Sequence, residues 1–484
     1  MFDKLRQEKD GLLLTLLLSI FLGINFNFPE PWRDESATIS AVNRTWQDLL
    51  VLIQNIDFVH AFYYGLVKLF TFGNTGVFQV RMISLLFISI AVFFIFRITK
   101  LLTNRNTAVL AALIFAVFPS SIFYASEARS YAVVLGIFMV SMYYFVRYYF
   151  FDSSSPLGFW LFILLATYLQ LMVVLFLPVA LCMHLIIKKP LRQFVLFSGV
   201  YLVLIAPLLL IGFTQRNQIS WLTTTSLKDP ISFALEFSYL NAYYFVHTFS
   251  LSSLLMISLL GLGFAPFLLL RDKIGTDINQ KTLVAFLLLW FLVPSYTLYT
   301  ISTQFPYFYP RFVIYCIPAL AILSAITISY LAKRRVVFIV VLIFVLSLGL
   351  IHLQELRFAD AKSNWNLPRD LLKLAAYKTD KIWIIENPNL IHEERAMLNA
   401  YADLDGVFND ISLQTGSDRT NLFASSKPTS SLNAKDFDAR GFISISFDCD
   451  GNLSLTSHQS FLDFNLEETI LGVENTCWKI IHWK

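Results

Sequence analysis

Asp34 and Glu35 stand side by side in Pro29-Glu30-Pro31-Trp32-Arg33-Asp34-Glu35-Ser36, a stretch dense in acids that follows a long apolar run. A carboxylate set against a hydroxyl takes its proton as the oxygen becomes a nucleophile, and a neighbouring acid can assist it or support the loop. Capping and solvated loop charges are the competing reading, because carboxylates are stabilised near a helix N-terminus. A second polar junction, Phe123-Tyr124-Ala125-Ser126-Glu127-Ala128-Arg129-Ser130-Tyr131, puts Glu127 and Arg129 between two apolar runs. Ionisable groups at such a position are costly unless paired or used, so a Glu127 to Arg129 pair locking a turn and a binding role both account for them. Arg81 opens one apolar run, and Arg311 opens another in Tyr307-Phe308-Tyr309-Pro310-Arg311-Phe312. Each alone reads as an interfacial snorkeller. Together, arginines facing an acidic loop fit a site that holds an anionic headgroup while an acid does proton chemistry.

The elements that must position these residues are apolar helices. The 484 residues are 56% hydrophobic and 14% charged, and the mean hydropathy is +0.62. That balance excludes an ordinary soluble multidomain enzyme and indicates a polytopic membrane protein. The net charge of +4 conceals a break. Residues 1–353 carry 24 Lys and Arg against 14 Asp and Glu, whereas residues 354–484 carry 13 against 19. Only the second part has the charge density of a water-exposed domain.

A helix crossing about 30 Å of hydrocarbon needs roughly 20 apolar residues. Such runs lie near 11–28, 79–99, 107–123, 131–150, 157–171, 172–187, 193–213, 250–270, 282–301, 312–331 and 336–353, which predicts eleven crossings. Basic residues collect on the cytoplasmic side of membrane helices. With the N-terminus inside, 16 of the first part's basic residues fall inside and eight outside. This holds when residues 58–72 form an interfacial or re-entrant helix rather than a crossing. The expected architecture is therefore an all-α bundle of about 11 spans, residues 1–353, with outer interfacial helices. A small extracytoplasmic α/β domain, residues 354–484, follows it. The first apolar run is long and lacks a small-x-small cleavage pattern, so it is expected to remain as an anchor.

The polar loops then gather on the outer face, and Ser36 is expected to cap one amphipathic helix running on through Trp46 to Ile53. In the tail, a helix is expected around 367–378 and strands at 381–385 and 441–447. Cys449 and Cys477 could pair outside the membrane or remain buried thiols. His60, His247 and His352 lie toward the outer face without metal-ligand spacing. No P-loop, dinucleotide fingerprint or zinc helix is present, and nothing points to nucleic acid.

In order, the residues comprise an Arg-Asp-Glu motif after the first span, an interfacial segment, an Arg-led second span, a Glu-x-Arg-x-Tyr junction, a Pro-Arg-aromatic junction and an outer tail. This order resembles the GT-C class of polyprenyl-phosphate-sugar-dependent glycosyltransferases, specifically the branch of protein O-mannosyltransferases and lipid A aminoarabinose transferases (family 39-like). The resemblance implies that Asp34 is the general base, with Glu35 assisting it or supporting the loop. It implies substrate-binding roles for His60, Arg81, Glu127, Arg129, Tyr131 and Arg311. His60 matches the first residue of the family's His/Lys-Pro-Pro-Leu segment, but here His60-Ala61-Phe62-Tyr63 lacks the prolines.

The expected activity is inverting hexosyl or pentosyl transfer, from a polyprenyl-phosphate donor to a hydroxyl on a lipid, glycan or protein. It would take place at the outer face of a bacterial-type plasma membrane, among membrane lipids. A divalent cation is left open, since Asp34 and Glu35 alone do not define a metal site. The alternatives are a transporter or flippase of lipid-linked glycans, or a glycan polymerase or ligase. A transporter should carry charges near the bilayer midplane, whereas these collect at helix ends.

Overall fold

The structure, a computed structural model, describes residues 2–27, 33–55, 57–71, 75–216, 224–230, 233, 280–331 and 335–358, together with five strands in the tail. The chain divides into two compact units. One comprises Met1–Pro29, Phe58–Tyr63 and Val80–Ala361, and the other Glu30–Asp57, Tyr64–Gln79 and Lys362–Lys484.

Fourteen helices are described: α1 (Phe2–Gly23), α2 (Arg33–Val42), α3 (Trp46–Asn55), α4 (Ala61–Thr71), α5 (Val77–Leu102), α6 (Arg105–Val117), α7 (Pro119–Ala125), α8 (Tyr131–Phe151), α9 (Leu157–Leu169), α10 (Leu177–Ile186), α11 (Leu191–Thr214), α12 (Gln280–Ile301), α13 (Ile317–Leu331) and α14 (Arg335–Arg357). Short 3-10 turns occupy Phe58–His60, Leu171–Phe176 and Pro310–Cys316. Among the described residues, six helices are long and apolar enough to cross a membrane. They are α5, α8, α11, α12, α14 and the continuous stretch Pro310–Leu331. The α6–α7 pair makes a seventh if counted as one bent span. Of the remaining expected crossings, α9 and Leu171–Ile186 are shorter apolar helices. The first eight residues of α1 include several charges, and residues 250–270 lie outside the described residues.

Local sequence explains the breaks. Asn104 caps α6 by accepting from the Thr107 amide at 3.0 Å. The helix stops at Phe118, whose extended backbone (ψ 134°) is what a following proline enforces. Pro119 then opens α7 at its first turn, where its missing N–H costs nothing, and the axis turns by 65°. The single helix expected from Ser36 to Ile53 is instead two helices. The first begins at Arg33, ahead of Ser36. The second begins after Thr45, whose hydroxyl accepts from the Asp48 amide at 3.1 Å and donates to the Asp48 carboxylate at 2.8 Å. That reciprocal cap restarts the helix and explains the break. At eleven residues, α4 is only about 16 Å long, too short to cross hydrocarbon.

In lipid, helices are held together by close packing and interhelical hydrogen bonds more than by exclusion from water. Pro310–Leu331 is the central element, with 89% of its apolar window buried, against 22% for α11 and 28% for α14. Around it Phe138, Phe145, Phe176, Phe286 and Trp290 interlock edge-to-face and tilted. Trp290 Nε1 donates to the Tyr315 carbonyl at 2.9 Å, and the Tyr315 hydroxyl donates to the Met172 carbonyl at 2.7 Å. Three elements are thereby pinned without an unsatisfied polar ring.

Gly136 on α8 meets α5 so closely that a Cβ there would sit 2.6 Å from the Phe87 carbonyl oxygen. A backbone oxygen cannot turn aside as a side chain can. Gly136→Ala is therefore expected to cost about 1–3 kcal/mol, lowering the thermal midpoint in scanning fluorimetry of detergent-purified protein. An unchanged midpoint would mean the α5–α8 crossing yields easily.

The tail strands β1 (Ile382–Ile384), β2 (Ser412–Leu413), β3 (Phe442–Phe447), β4 (Leu466–Gly472) and β5 (Trp478–Trp483) form one mixed sheet in the order β2-β1-β3-β5-β4. β1 runs parallel to β2 and β3, while β5 pairs antiparallel with β3 and β4. The expected strands at 381–385 and 441–447 correspond to β1 and β3. The expected helix at 367–378, His247 and both tail cysteines lie outside the described residues.

Candidate active site

Asp34 and Glu35 occupy the first turn of α2, where the exposed amide ends of the helix favour carboxylates. Asp34 is partly buried, its main-chain carbonyl accepting from the Thr38 hydroxyl at 3.2 Å, and Glu35 is fully buried. Within the same unit the turn after α2 is tied down from two directions. Asn43 and Thr75 exchange reciprocal hydrogen bonds, Nδ2 to O at 3.0 Å and N to Oδ1 at 2.9 Å. Lys68 Nζ donates to the carbonyls of Val42 at 2.8 Å and Arg44 at 2.5 Å, and lies 5.2 Å from the Trp46 ring centroid. The Tyr64 hydroxyl donates to the buried Asp57 carboxylate at 2.5 Å. These bonds tie the C-terminal end of α2, the helix that carries the two acids, to α4 and to Thr75 beyond it.

Burial lowers the Lys68 pKa from its ordinary 10.5, although the two carbonyl acceptors and the indole favour the cation. Between that lowered value and 10.5 the folded chain has shed a proton that the unfolded chain still holds, so stability rises with pH across this alkaline window. Lys68→Met should remove that rise in thermal melts taken across the window. If the variant kept the wild-type slope, another group would be responsible.

The other candidates belong to the first unit. Arg81, fully buried on α5, donates from Nη1 to the Asn27 carbonyl at 3.3 Å. One turn further along the same face, the Ser84 hydroxyl donates to the main-chain carbonyl of Glu127 at 2.5 Å. Glu127 is buried, as are Ser126 and Ser130 on either side of the turn. Arg129 is 8% exposed, and its Nη2 donates to His60 Nε2 at 3.3 Å. A guanidinium has no acceptor, so this contact requires the His60 proton on Nδ1. The turn carrying His60 is anchored in its own right, the Phe58 amide donating to Gln215 Oε1 at 2.7 Å. Tyr131 begins α8, its ring 5.1 Å from that of Tyr124. The Arg311 guanidinium lies 5.6 Å from the Tyr131 ring centroid and 4.7 Å from that of Tyr309.

His60 and Arg129 are thus in direct contact, as are Tyr131 and Arg311, and the Glu-x-Arg-x-Tyr segment links the two pairs. Buried Arg81 and Arg129, and half-buried Arg311 bordered by aromatic rings, have the chemistry to hold a phosphate. Among the described residues no three His, Cys, Asp or Glu side chains gather as a metal-binding group. Ser84 and Gln215 were not anticipated from sequence. Ser84 had a signal in its spacing from Arg81, but Gln215 had none. His352 is buried rather than lining an outer loop, its Nδ1 donating to the Val117 carbonyl at 3.0 Å.

An apolar bundle with a broken span, a polar segment after its first helix and a terminal mixed sheet is the fold of ArnT, and the apolar helices mark an integral membrane protein. Two solved structures of ArnT from Cupriavidus metallidurans share it end to end. The chain matches the undecaprenyl phosphate-bound form with a TM-score of 0.61 and 12% identity, covering 98% of this chain and 97% of that one. It matches the apo form with a TM-score of 0.60 and 11% identity, over the same shares of both chains. No family model and no curated protein sequence matches the chain.

Proposed function

We propose that this protein is a membrane glycosyltransferase that moves a sugar from a polyprenyl-phosphate donor to an acceptor hydroxyl at the outer face of the membrane. The observation that carries this reading is the end-to-end likeness to ArnT bound to undecaprenyl phosphate, joined to buried arginines at helix ends in the matching bundle. The donor is already activated, so the protein has three tasks: to orient the acceptor, to take its proton and to stabilise the departing phosphate.

In this reading Asp34 removes the hydroxyl proton as the oxygen attacks the anomeric carbon, with Glu35 supporting the turn. The bond from that carbon to the phosphate oxygen breaks on the opposite side, so the configuration inverts. Arg81, Arg129 and Arg311 hold the polyprenyl phosphate that leaves, while His60, Glu127 and Tyr131 fix the arginines. The acceptor is a lipid, glycan or protein. The N-terminus is cytoplasmic, and the tail, residues 354–484, forms the outer domain.

Undecaprenyl phosphate added to the purified protein is expected to bind saturably, as read by native mass spectrometry. Glycan and lipid profiles of cells lacking the protein should lose one glycosylated product. Absence of both effects would refute the proposal, and transport of intact lipid-linked glycan without sugar transfer would replace it by a transporter.

A further inference from the structure

Arg357 ends α14 and is fully buried. Its Nη2 donates to the Leu22 carbonyl at 3.2 Å and to the Ile122 carbonyl at 2.6 Å. Leu22 lies in the last turn of α1 and Ile122 in the last turn of α7, where carbonyls lack an intrahelical donor. One guanidinium therefore satisfies the ends of two helices and sits where both dipoles are negative. Asn25 closes the same junction from the other side. Its Nδ2 donates to the Arg357 carbonyl at 2.7 Å, and it adopts a left-handed backbone, φ 50°.

The chain leaving α7 leads directly into Ser126-Glu127-Ala128-Arg129. Packing alone does not need an arginine here, since a well-packed apolar residue generally serves a buried position as well or better. Tight apposition of α14 is already secured elsewhere: a Cβ on Gly349 would lie 2.5 Å from Val117 Cγ1, and His352 bonds the Val117 carbonyl.

We propose that Arg357 is a positioning residue for the transfer. By clamping the end of α7 to the end of α1, it fixes the origin of the segment bearing Glu127 and Arg129. The role in transfer rests on the function proposed above; the clamp itself does not.

The test uses the full-length protein and compares Arg357→Gln, Arg357→Lys and Gly349→Ala by hydrogen exchange, undecaprenyl phosphate binding and thermal midpoint. In Arg357→Gln, amides of residues 22–27 and 123–130 should exchange about tenfold faster and binding should weaken about tenfold. Arg357→Lys, which keeps a cationic donor, should recover most of both. Gly349→Ala should lower the midpoint with affinity near wild type, and it supplies the comparison with Arg357→Lys if the Gln variant does not fold. Equal loss of affinity in Gly349→Ala and in the Arg357 variants would make general packing the cause and overturn the positioning role. Unchanged exchange in Arg357→Gln, beside normal wild-type binding, overturns the clamp and with it the positioning role, and leaves the proposed function standing. Wild-type protein that binds no undecaprenyl phosphate overturns the functional reading and the positioning role together.

Discussion

Asp34→Asn should reduce sugar transfer by about 10²–10⁴-fold, the range that a positioned general base contributes, while leaving undecaprenyl phosphate binding close to wild type. Asparagine keeps the shape of the side chain and tolerates a helix start, so α2 should persist with a loss of only about 0.3–1 kcal/mol from the missing charge near its N-terminus. What disappears, in the proposed mechanism, is the acceptor for the hydroxyl proton. The measurement is the amount of the missing glycosylated product restored when the variant is expressed in cells that lack the protein, at matched membrane levels. Full restoration would remove Asp34 from the mechanism, and equal loss in Asp34→Asn and Glu35→Gln would give the two acids a shared role.

Arg129→Gln is expected to act on the other half of the reaction, weakening undecaprenyl phosphate binding by about 10–100-fold, the equivalent of a charge-assisted hydrogen bond worth about 1.5–3 kcal/mol. Arg129 is almost fully buried and already oriented by His60, so little side-chain freedom remains to be lost when an anion arrives. Lysine is a poor substitute because a single ammonium cannot reproduce the planar fork. His60→Ala should weaken binding less, since it frees the guanidinium without removing its charge. Native mass spectrometry with added undecaprenyl phosphate reads both variants. Wild-type affinity in Arg129→Gln would leave the arginine a purely structural role.

The long apolar runs at 79–99, 131–150, 193–213, 282–301 and 336–353 were legible because composition alone dictates a helix where no water is available to satisfy the backbone. Local backbone chemistry was harder to read. The run 107–123 looks uniform in hydropathy, yet Pro119 forces its predecessor out of the helical region and divides it. The amphipathic pattern from 36 to 53 continues smoothly through Asn43 and Arg44, and only the Thr45-x-x-Asp48 cap betrays the restart. In the site, Arg81, Glu127, Arg129 and Arg311 announced themselves as charges at the edges of greasy segments. Their partners did not, because Ser84, Gln215 and the carbonyl of Asn27 are ordinary polar groups whose importance depends on distant chain folding back. Arg357 was counted with the tail because hydropathy falls near residue 353, whereas α14 runs on for one more helical turn.

The elbow between α6 and α7 has a consequence for how the protein is made. Pro119 cannot donate a hydrogen bond, and the carbonyl of Val117 beside the bend finds its donor in His352, which is synthesised 235 residues later. A buried carbonyl with no donor is expensive in hydrocarbon. During membrane insertion the elbow must therefore stay near the lipid headgroups, or borrow a temporary partner, until α14 emerges. The segment holding Glu127 and Arg129 is then set in place only when the last described helix arrives, so a nascent chain halted before α14 would carry every proposed catalytic and phosphate-binding residue and still lack its finished geometry.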